Sequence, residues 1–278
     1  MESNLPALPS VIANEDYMLE NSKERPILEI KNLSMAFSGL MALNEVSFSV
    51  YKGVITAIIG PNGAGKTTLS KLTVGLLKPL HGEIWFKQHS LGNLSPHTIA
   101  SLGIAQVFQD IKLFANMSVV ENVMVGCHVW TRASFLDTGL KRSRAKKEEN
   151  EIREMAMSKL CLVGLEDKAD ATPASLSWGQ QRLVGLARAL ASNPELLFLD
   201  EPYGGLRSNE IEKLSQLVFS LQRQGLTILI VDHLMDCVMN IADRVVFLVD
   251  GRKIAEGSPS EIQQNEQVRY AYIGGSAT

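Results

Sequence analysis

The stretch VITAIIGPNGAGKTTL, Val54 to Leu69, decides the fold. Its first six residues form an apolar run without regular alternation, the pattern of a strand covered on both faces in a parallel sheet. GPNGAGKTT follows: Gly60, Pro61, Asn62, Gly63, Ala64, Gly65, Lys66, Thr67 and Thr68. It fits G-x-x-x-x-G-K-[ST]. A helix is predicted from near Lys66, with Leu69, Leu72, Val74 and Leu76 on its apolar side. Strand, glycine-rich loop and helix in that order make an anion cradle. Glycines at 60, 63 and 65 permit conformations and close approaches that a Cβ blocks, while loop amides and the helix N-terminus point at the anion. In such a loop Lys66 offers a charge to the β- and γ-phosphates of a nucleotide, and Thr67 offers a hydroxyl to Mg²⁺.

A phosphate loop of this kind calls for a second metal anchor, an acid at the end of a neighbouring parallel strand. LLFLDEPYGGL, Leu196 to Leu206, ends an apolar run in two carboxylates. Asp200 is placed to anchor Mg²⁺. Glu201, one residue on where the chain turns, is placed to polarise a water as general base; a plain turn residue is the competing reading. LTILIVD (226–232) is another buried-type strand. Between the two, Ile211, Leu214, Leu217, Val218 and Leu221 recur at helical spacing, with Gly225 as a stop. Strand, helix, strand implies a right-handed parallel crossover. Upstream, ILEIKNL and EVSFSVY alternate as half-exposed antiparallel strands do. Downstream, RVVFLVDGRKIAEG reads as a hairpin turning at Asp250–Gly251. The residues from about 110 to 175 carry no buried-strand pattern and read as mostly helical. The expected fold is therefore α/β: a P-loop NTPase core, an antiparallel β flank and a helical subdomain.

Composition narrows the classes. With 278 residues, 45% hydrophobic and 21% charged, the chain is an ordinary globular one. A net charge of −3 provides no basic field to recruit nucleic acid. The one basic run, KRSRAKK (141–147), meets EENE at once and reads as a solvated helix face. Three scattered cysteines, Cys127, Cys161 and Cys237, argue against a disulfide framework and read as small apolar filler. Residues 1–26 carry early acids and three prolines, which suits a mobile tail and neither a secretory nor a transit leader. No run of 18 apolar residues occurs, so no bilayer-spanning segment is expected. Residues 27–278 are expected to form one nucleotide-binding domain, with the helical insertion at about 110–178.

Further residues carry a resemblance. LSWGQQR (176–182) precedes the Asp200–Glu201 pair, FQD holds Gln109, His233 follows the strand TILIVD, and Phe37 lies ahead of the phosphate loop. As a set and in this order, they resemble the ATP-binding subunits of ABC transporters, from roughly Ile27 to Tyr272. The resemblance implies an ATP hydrolase with Mg²⁺ as cofactor, its nucleotide sandwiched between two cassettes. The phosphate loop of one would face Ser177, Gly179 and Gln180 of the other's signature motif. Glu201 would activate the water, His233 would hold the γ-phosphate, and Gln109 would touch the metal or the water. Phe37 would stack on adenine, although a core phenylalanine reads nearly as well there. Two residues depart from the family pattern. Trp178 stands where the signature has glycine, and its indole is expected on the surface or against a partner. Arg207 stands where many relatives have an aspartate that contacts the facing cassette.

One cassette without a membrane span implies separate integral-membrane permease subunits, a second ATPase subunit, and a peripheral place on the cytoplasmic face of the inner membrane. QVFQDIKLFANMSVVENVMVG, the insertion around Trp130 to Asn150 and the ending AEGSPSEIQQNEQVRYAYIGG resemble the branched-chain amino acid importers. In those, a solute-binding protein acts further upstream. Importers of urea or short amides and lipopolysaccharide exporters remain open, and so do soluble ABC ATPases. The last usually carry paired cassettes or long coiled coils, whereas this chain has one phosphate loop and no sustained heptads.

Overall fold

The computed structural model describes residues 25–129 and 142–273. The expected tail, up to residue 24, and the insertion residues 130–141 lie outside them. Along the chain run β1 (Leu28–Phe37), β2 (Leu40–Val50), β3 (Ile55–Ile59), α1 (Lys66–Thr73), β4 (His81–Phe86), β5 (His89–Ser90), α2 (Pro96–Ser101) and β6 (Ile104–Val107). The helices α3 (Val119–Met124), α4 (Arg142–Leu162) and α5 (Trp178–Ala191) follow, with no strand among the described residues before β7 (Leu196–Asp200). Then come α6 (Ser208–Arg223), β8 (Thr227–Val231), α7 (Met235–Met239), β9 (Arg244–Val249), β10 (Arg252–Gly257), α8 (Pro259–Gln264) and α9 (Glu266–Ile273).

Six strands form the main sheet in the order β10-β9-β3-β8-β7-β6. All neighbours are parallel except the β9–β10 hairpin. β3, β7 and β8 are buried along their whole length because each strand feeds two cores. Side chains alternate across a strand. Ile55, Ala57 and Ile59 of β3 and Leu197 and Leu199 of β7 join Ile228 and Ile230 of β8 in one cluster, against α3, α4 and α5. Ile58, Leu196, Phe198, Leu229 and Val231 join the other, against α1 and the second sheet. That second sheet is antiparallel, in the order β2-β1-β4-β5. The hairpin turns where it was expected. Asp250 (φ +47°) and Gly251 (φ +75°) are both left-handed, as a two-residue turn of the kind favoured by strand twist requires.

Three expectations need correction. The helix after the phosphate loop stops at Thr73, because Gly75 turns the chain at φ +75°. Val74 caps it, and Leu76 lies beyond it, half exposed rather than on an apolar helix face. The β flank is not confined to the segment before the loop, since β4 and β5 come after it and close the same sheet. Finally, Cys161 is exposed and so is not apolar filler, although Cys127 is buried.

Candidate nucleotide-binding site

Four neighbouring strands, β3, β8, β7 and β6, run parallel and end on the same edge of the sheet. Each delivers a different group there. β3 leads into the phosphate loop, β8 into Asp232 and His233, β7 ends in Asp200 and Glu201, and β6 leads to Gln109. Ligands of open α/β sheets bind beyond the carboxyl ends of strands, so sheet order alone gathers residues that are far apart in sequence.

The phosphate loop is shaped by backbone on its far side. A Cβ on Gly60 would sit 2.0 Å from the Leu248 carbonyl oxygen, and one on Gly65 would sit 2.4 Å from that of Ala42. Gly65 also caps α1 in a left-handed conformation, φ +96°. Lys66 is buried and its Nζ donates to the carbonyls of Gly60 (2.7 Å) and Pro61 (2.9 Å). Burial lowers its pKa, an effect countered by the nearby carboxylates of Glu201, Asp232 and Asp200. Thr67, Asn62 and Gly63 lie exposed at the loop's outer rim.

Asp200 is buried, and desolvation lifts its pKa to about 6, with the Ser70 hydrogen bond pulling the other way and Glu201 adding to the rise. Ser70 Oγ donates to Asp200 Oδ2 at 2.9 Å, and Gln106 Nε2 donates to Ser70 Oγ at 2.6 Å. Sequence reasoning singled out neither Ser70 nor Gln106. Their only signal was proximity to motifs, because they meet across 36 positions through sheet pairing.

Glu201 occupies the left-handed region at φ +47°, a costly conformation for a residue with a Cβ. Its amide donates to the Val231 carbonyl at 2.7 Å. Its side chain is one-fifth exposed; Oε2 accepts from Gln109 Nε2 at 2.5 Å and lies 3.8 Å from His233 Nδ1. The three residues expected to serve the reacting water thus meet at one carboxylate. Asp232, also missed from the sequence, fixes the turn that presents His233. Its Oδ1 accepts from the amides of His233 (2.7 Å) and Leu234 (2.9 Å), and its Oδ2 from that of Tyr203 (3.3 Å).

The signature residues stand apart from this cluster, at the start of α5. Ser177 caps the helix, its Oγ accepting from the Gln180 amide at 3.2 Å while Gln180 Oε1 accepts from the Ser177 amide at 2.9 Å. A Cβ on Gly179 would meet Glu210 Oε1 at 2.6 Å. Trp178 is half exposed. Arg207 is exposed, and its amide donates to Glu210 Oε2 at 2.9 Å. Phe37 is half exposed at the end of β1, paired with Leu40 across the hairpin, so it is not a core phenylalanine.

Asp200 and Thr67 offer hard oxygen donors of the kind Mg²⁺ takes. Among the described residues, no group of three or more His, Cys, Asp or Glu side chains is arranged to hold a metal by itself. That fits an ion held largely by nucleotide phosphates and completed by one or two protein oxygens.

A strand-terminal phosphate loop facing a strand-terminal acid defines a P-loop nucleotide-binding protein. Comparison with known proteins makes this more specific. Residues 43–204 match the family described as ABC transporter, and residues 252–278 match branched-chain amino acid ATP-binding cassette transporter. The chain is 36% identical over 251 residues to the high-affinity branched-chain amino acid transport ATP-binding protein LivG of Escherichia coli K12, covering 90% of this chain and 98% of that one. Among solved structures it resembles the ADP conformation of an ATP-binding cassette of an ABC transporter (33% identity, TM-score 0.78, 90% of this chain and 100% of that one). It also resembles a dimeric post-hydrolysis cassette bound to ADP and phosphate (28%, TM-score 0.71, 84% and 98%). The chain belongs to the ABC transporter family. It is an ATP-binding cassette that couples ATP hydrolysis to transport.

Proposed function

We propose that this chain is the energy-coupling ATPase of an importer for branched-chain, hydrophobic amino acids. The observation that carries the chemistry is the meeting of Gln109 and His233 at the Glu201 carboxylate, beside Asp200 and Lys66. The substrate reading rests on the match of residues 252–278 and on the likeness to LivG. Residues 27–278 act as one ATP-binding domain, with a helical insertion at about 110–178.

The loop amides and Lys66 bind the β- and γ-phosphates, and Phe37 lies against the adenine. Asp200, Thr67 and Gln109 are the residues that would hold Mg²⁺, which when bound neutralises phosphate charge. Ser70 and Gln106 keep the Asp200 carboxylate turned toward that position. Glu201 takes a proton from the attacking water as general base, while Gln109 and His233 orient the water and the γ-phosphate. Ser177, Gly179 and Gln180 would serve the nucleotide of a second cassette, identical or not, so a lone cassette should turn over slowly. Integral-membrane permease subunits would receive the closing motion, and a solute-binding protein would deliver the solute to them. The chain would sit peripherally on the cytoplasmic face of the inner membrane; no described helix is long and apolar enough to cross one.

Uptake of labelled leucine by cells lacking the chain tests this reading. Rescue by the wild type and not by Glu201→Gln is expected. Undiminished leucine uptake in the deletion strain would overturn the substrate assignment and turn attention to urea, amides or an exported lipid.

A further inference from the structure

Two residues of the signature helix make contacts that the roles above do not use. Arg182, in the second turn of α5, is 7% exposed, and its Nη1 donates to the Glu201 carbonyl at 2.6 Å. Its Nε is buried without a partner. Its guanidinium stacks on the Trp178 ring, 5.6 Å from the centroid. The same indole packs on the loop after Glu201, where a Cβ on Gly205 would lie 3.4 Å from Trp178 Nε1. Glu201 is therefore gripped on both sides of its strained backbone. Its amide is tied to β8 through Val231, and its carbonyl accepts from Arg182 and, at 3.3 Å, from the Gly204 amide.

We propose that Arg182, clamped by the Trp178 indole, is a positioning residue that sets the aim of the Glu201 carboxylate and ties it to the signature helix of the same chain. This rests on the reading of Glu201 as general base. One rigid helix carries Ser177 and Gly179 at its start and Arg182 about 7 Å further along its axis. A shift of that end is transmitted through one charge-assisted hydrogen bond to a backbone that has little freedom to absorb it. Each cassette thereby links the site it completes in its partner to the site it catalyses itself. The departure at Trp178 gains a physical role: a glycine there would leave one face of the buried guanidinium without its aromatic cover. Burial lowers the Arg182 pKa, with Asp232 and Glu201 opposing it, so this cation is held among acids.

Steady-state kinetics on the purified full chain tests the proposal with Arg182→Met, Arg182→Lys, Trp178→Gly, Trp178→Phe and the double variant Arg182→Met/Trp178→Gly. Misplacing a catalytic group by about 1 Å costs up to about 100-fold. Arg182→Met should accordingly lower kcat by about 30-fold, with KM for MgATP and the affinity for a fluorescent ATP analogue within about twofold. Trp178→Gly should lower kcat by about fivefold, and the lysine and phenylalanine variants should recover most of each loss. Because both act through one carbonyl, the double variant should be no slower than Arg182→Met. Unchanged kcat in Arg182→Met, a fall matched by lost ATP affinity, or multiplicative losses in the double variant would overturn the proposal. Should Arg182→Met not fold, Trp178→Gly at its half-exposed position decides it, and unchanged kcat there overturns it. Full turnover in Glu201→Gln would overturn the general-base reading and this proposal with it. An inactive Glu201→Gln beside a fully active Arg182→Met would overturn this proposal alone.

Discussion

Glu201 shows how a single residue trades stability for chemistry. Its φ of +47° puts a Cβ where the backbone tolerates one poorly, at a cost of about 1–2 kcal/mol. Glycine relieves that strain but adds freedom to the unfolded chain worth about 0.5–1 kcal/mol. Glu201→Gly should therefore raise unfolding stability by about 0.5–1 kcal/mol, read from a higher urea midpoint at constant m-value, while ATP turnover disappears. Glu201→Gln keeps the strain and should leave the midpoint in place. A second residue-scale case is Asp243, whose Oδ2 accepts from the Ile55 amide at 2.8 Å. Burial raises its pKa despite that bond. An acid with a raised folded pKa weakens the fold above that pKa, and the cost fades as pH falls through it toward the unfolded value. Asp243→Asn keeps an oxygen for the amide, so it should stabilise the protein at pH 7–8 and give a shrinking gain as pH falls through the carboxylate range. Paired urea melts at several pH values check the sign.

At the scale of elements, the site is made by strand order, and what the sequence showed of it followed from how many faces each strand buries. β3, β7 and β8 were legible because both faces are covered, so only a buried threonine, Thr56 in β3 and Thr227 in β8, departs from their apolar runs before the loop or acid at the end. β6 was not legible: it is four residues long at the sheet edge, with three of the four only half-buried. β4 was missed as well, since its first three residues, His81, Gly82 and Glu83, are exposed. Lys66, Asp200 and Glu201 could be assigned from local motifs. Ser70 and Gln106 could not, because Ser70 reaches Asp200 only once β3 and β7 flank β8, and Gln106 reaches Ser70 only once β6 pairs with β7. The least local feature is the backing of the phosphate loop by β2, where the Ala42 carbonyl faces Gly65 and the Asn44 amide donates to Gly251 at 2.8 Å. Gly65→Ala would drive a Cβ to 2.4 Å from a backbone oxygen, at a φ that L-residues avoid. It should abolish ATP binding in a fluorescent-nucleotide titration while the helical circular dichroism signal persists, because the clash is confined to the loop and β2. Lys66→Ala, which removes the charge but not the cradle, should weaken ATP binding without altering the fold.

At the scale of the whole molecule, the residues of the proposed sandwich are divided between two parts of the chain. The phosphate loop, Asp200 and Glu201 stand on the sheet edge, while Ser177, Gly179 and Gln180 occupy the N-terminus of a separate helix in the same chain. A single copy therefore carries both halves of the proposed nucleotide sandwich on different elements, and the proposed closure calls for a second cassette. This makes a prediction about assembly that differs from the one about rate. If turnover reopens the pair, blocking the proton transfer while keeping the phosphate contacts should hold the pair shut. Glu201→Gln preserves an acceptor oxygen near Gln109 and leaves Lys66 untouched, so ATP still binds. Light scattering coupled to gel filtration should then show the variant shifting from one copy to two when ATP and Mg²⁺ are present, with ADP failing to do so. The wild type should show the shift only transiently. A partner in the second position that is a different chain would weaken the shift for the isolated protein and restore it when that chain is added. The same nucleotide should protect the closed form against unfolding, by about 2.7 kcal/mol at a hundredfold excess over its dissociation constant. A Glu201→Gln chain that stays a single copy with ATP, alone and with every cassette that co-purifies with it, would separate the carboxylate from closure and leave it only its role in the chemical step.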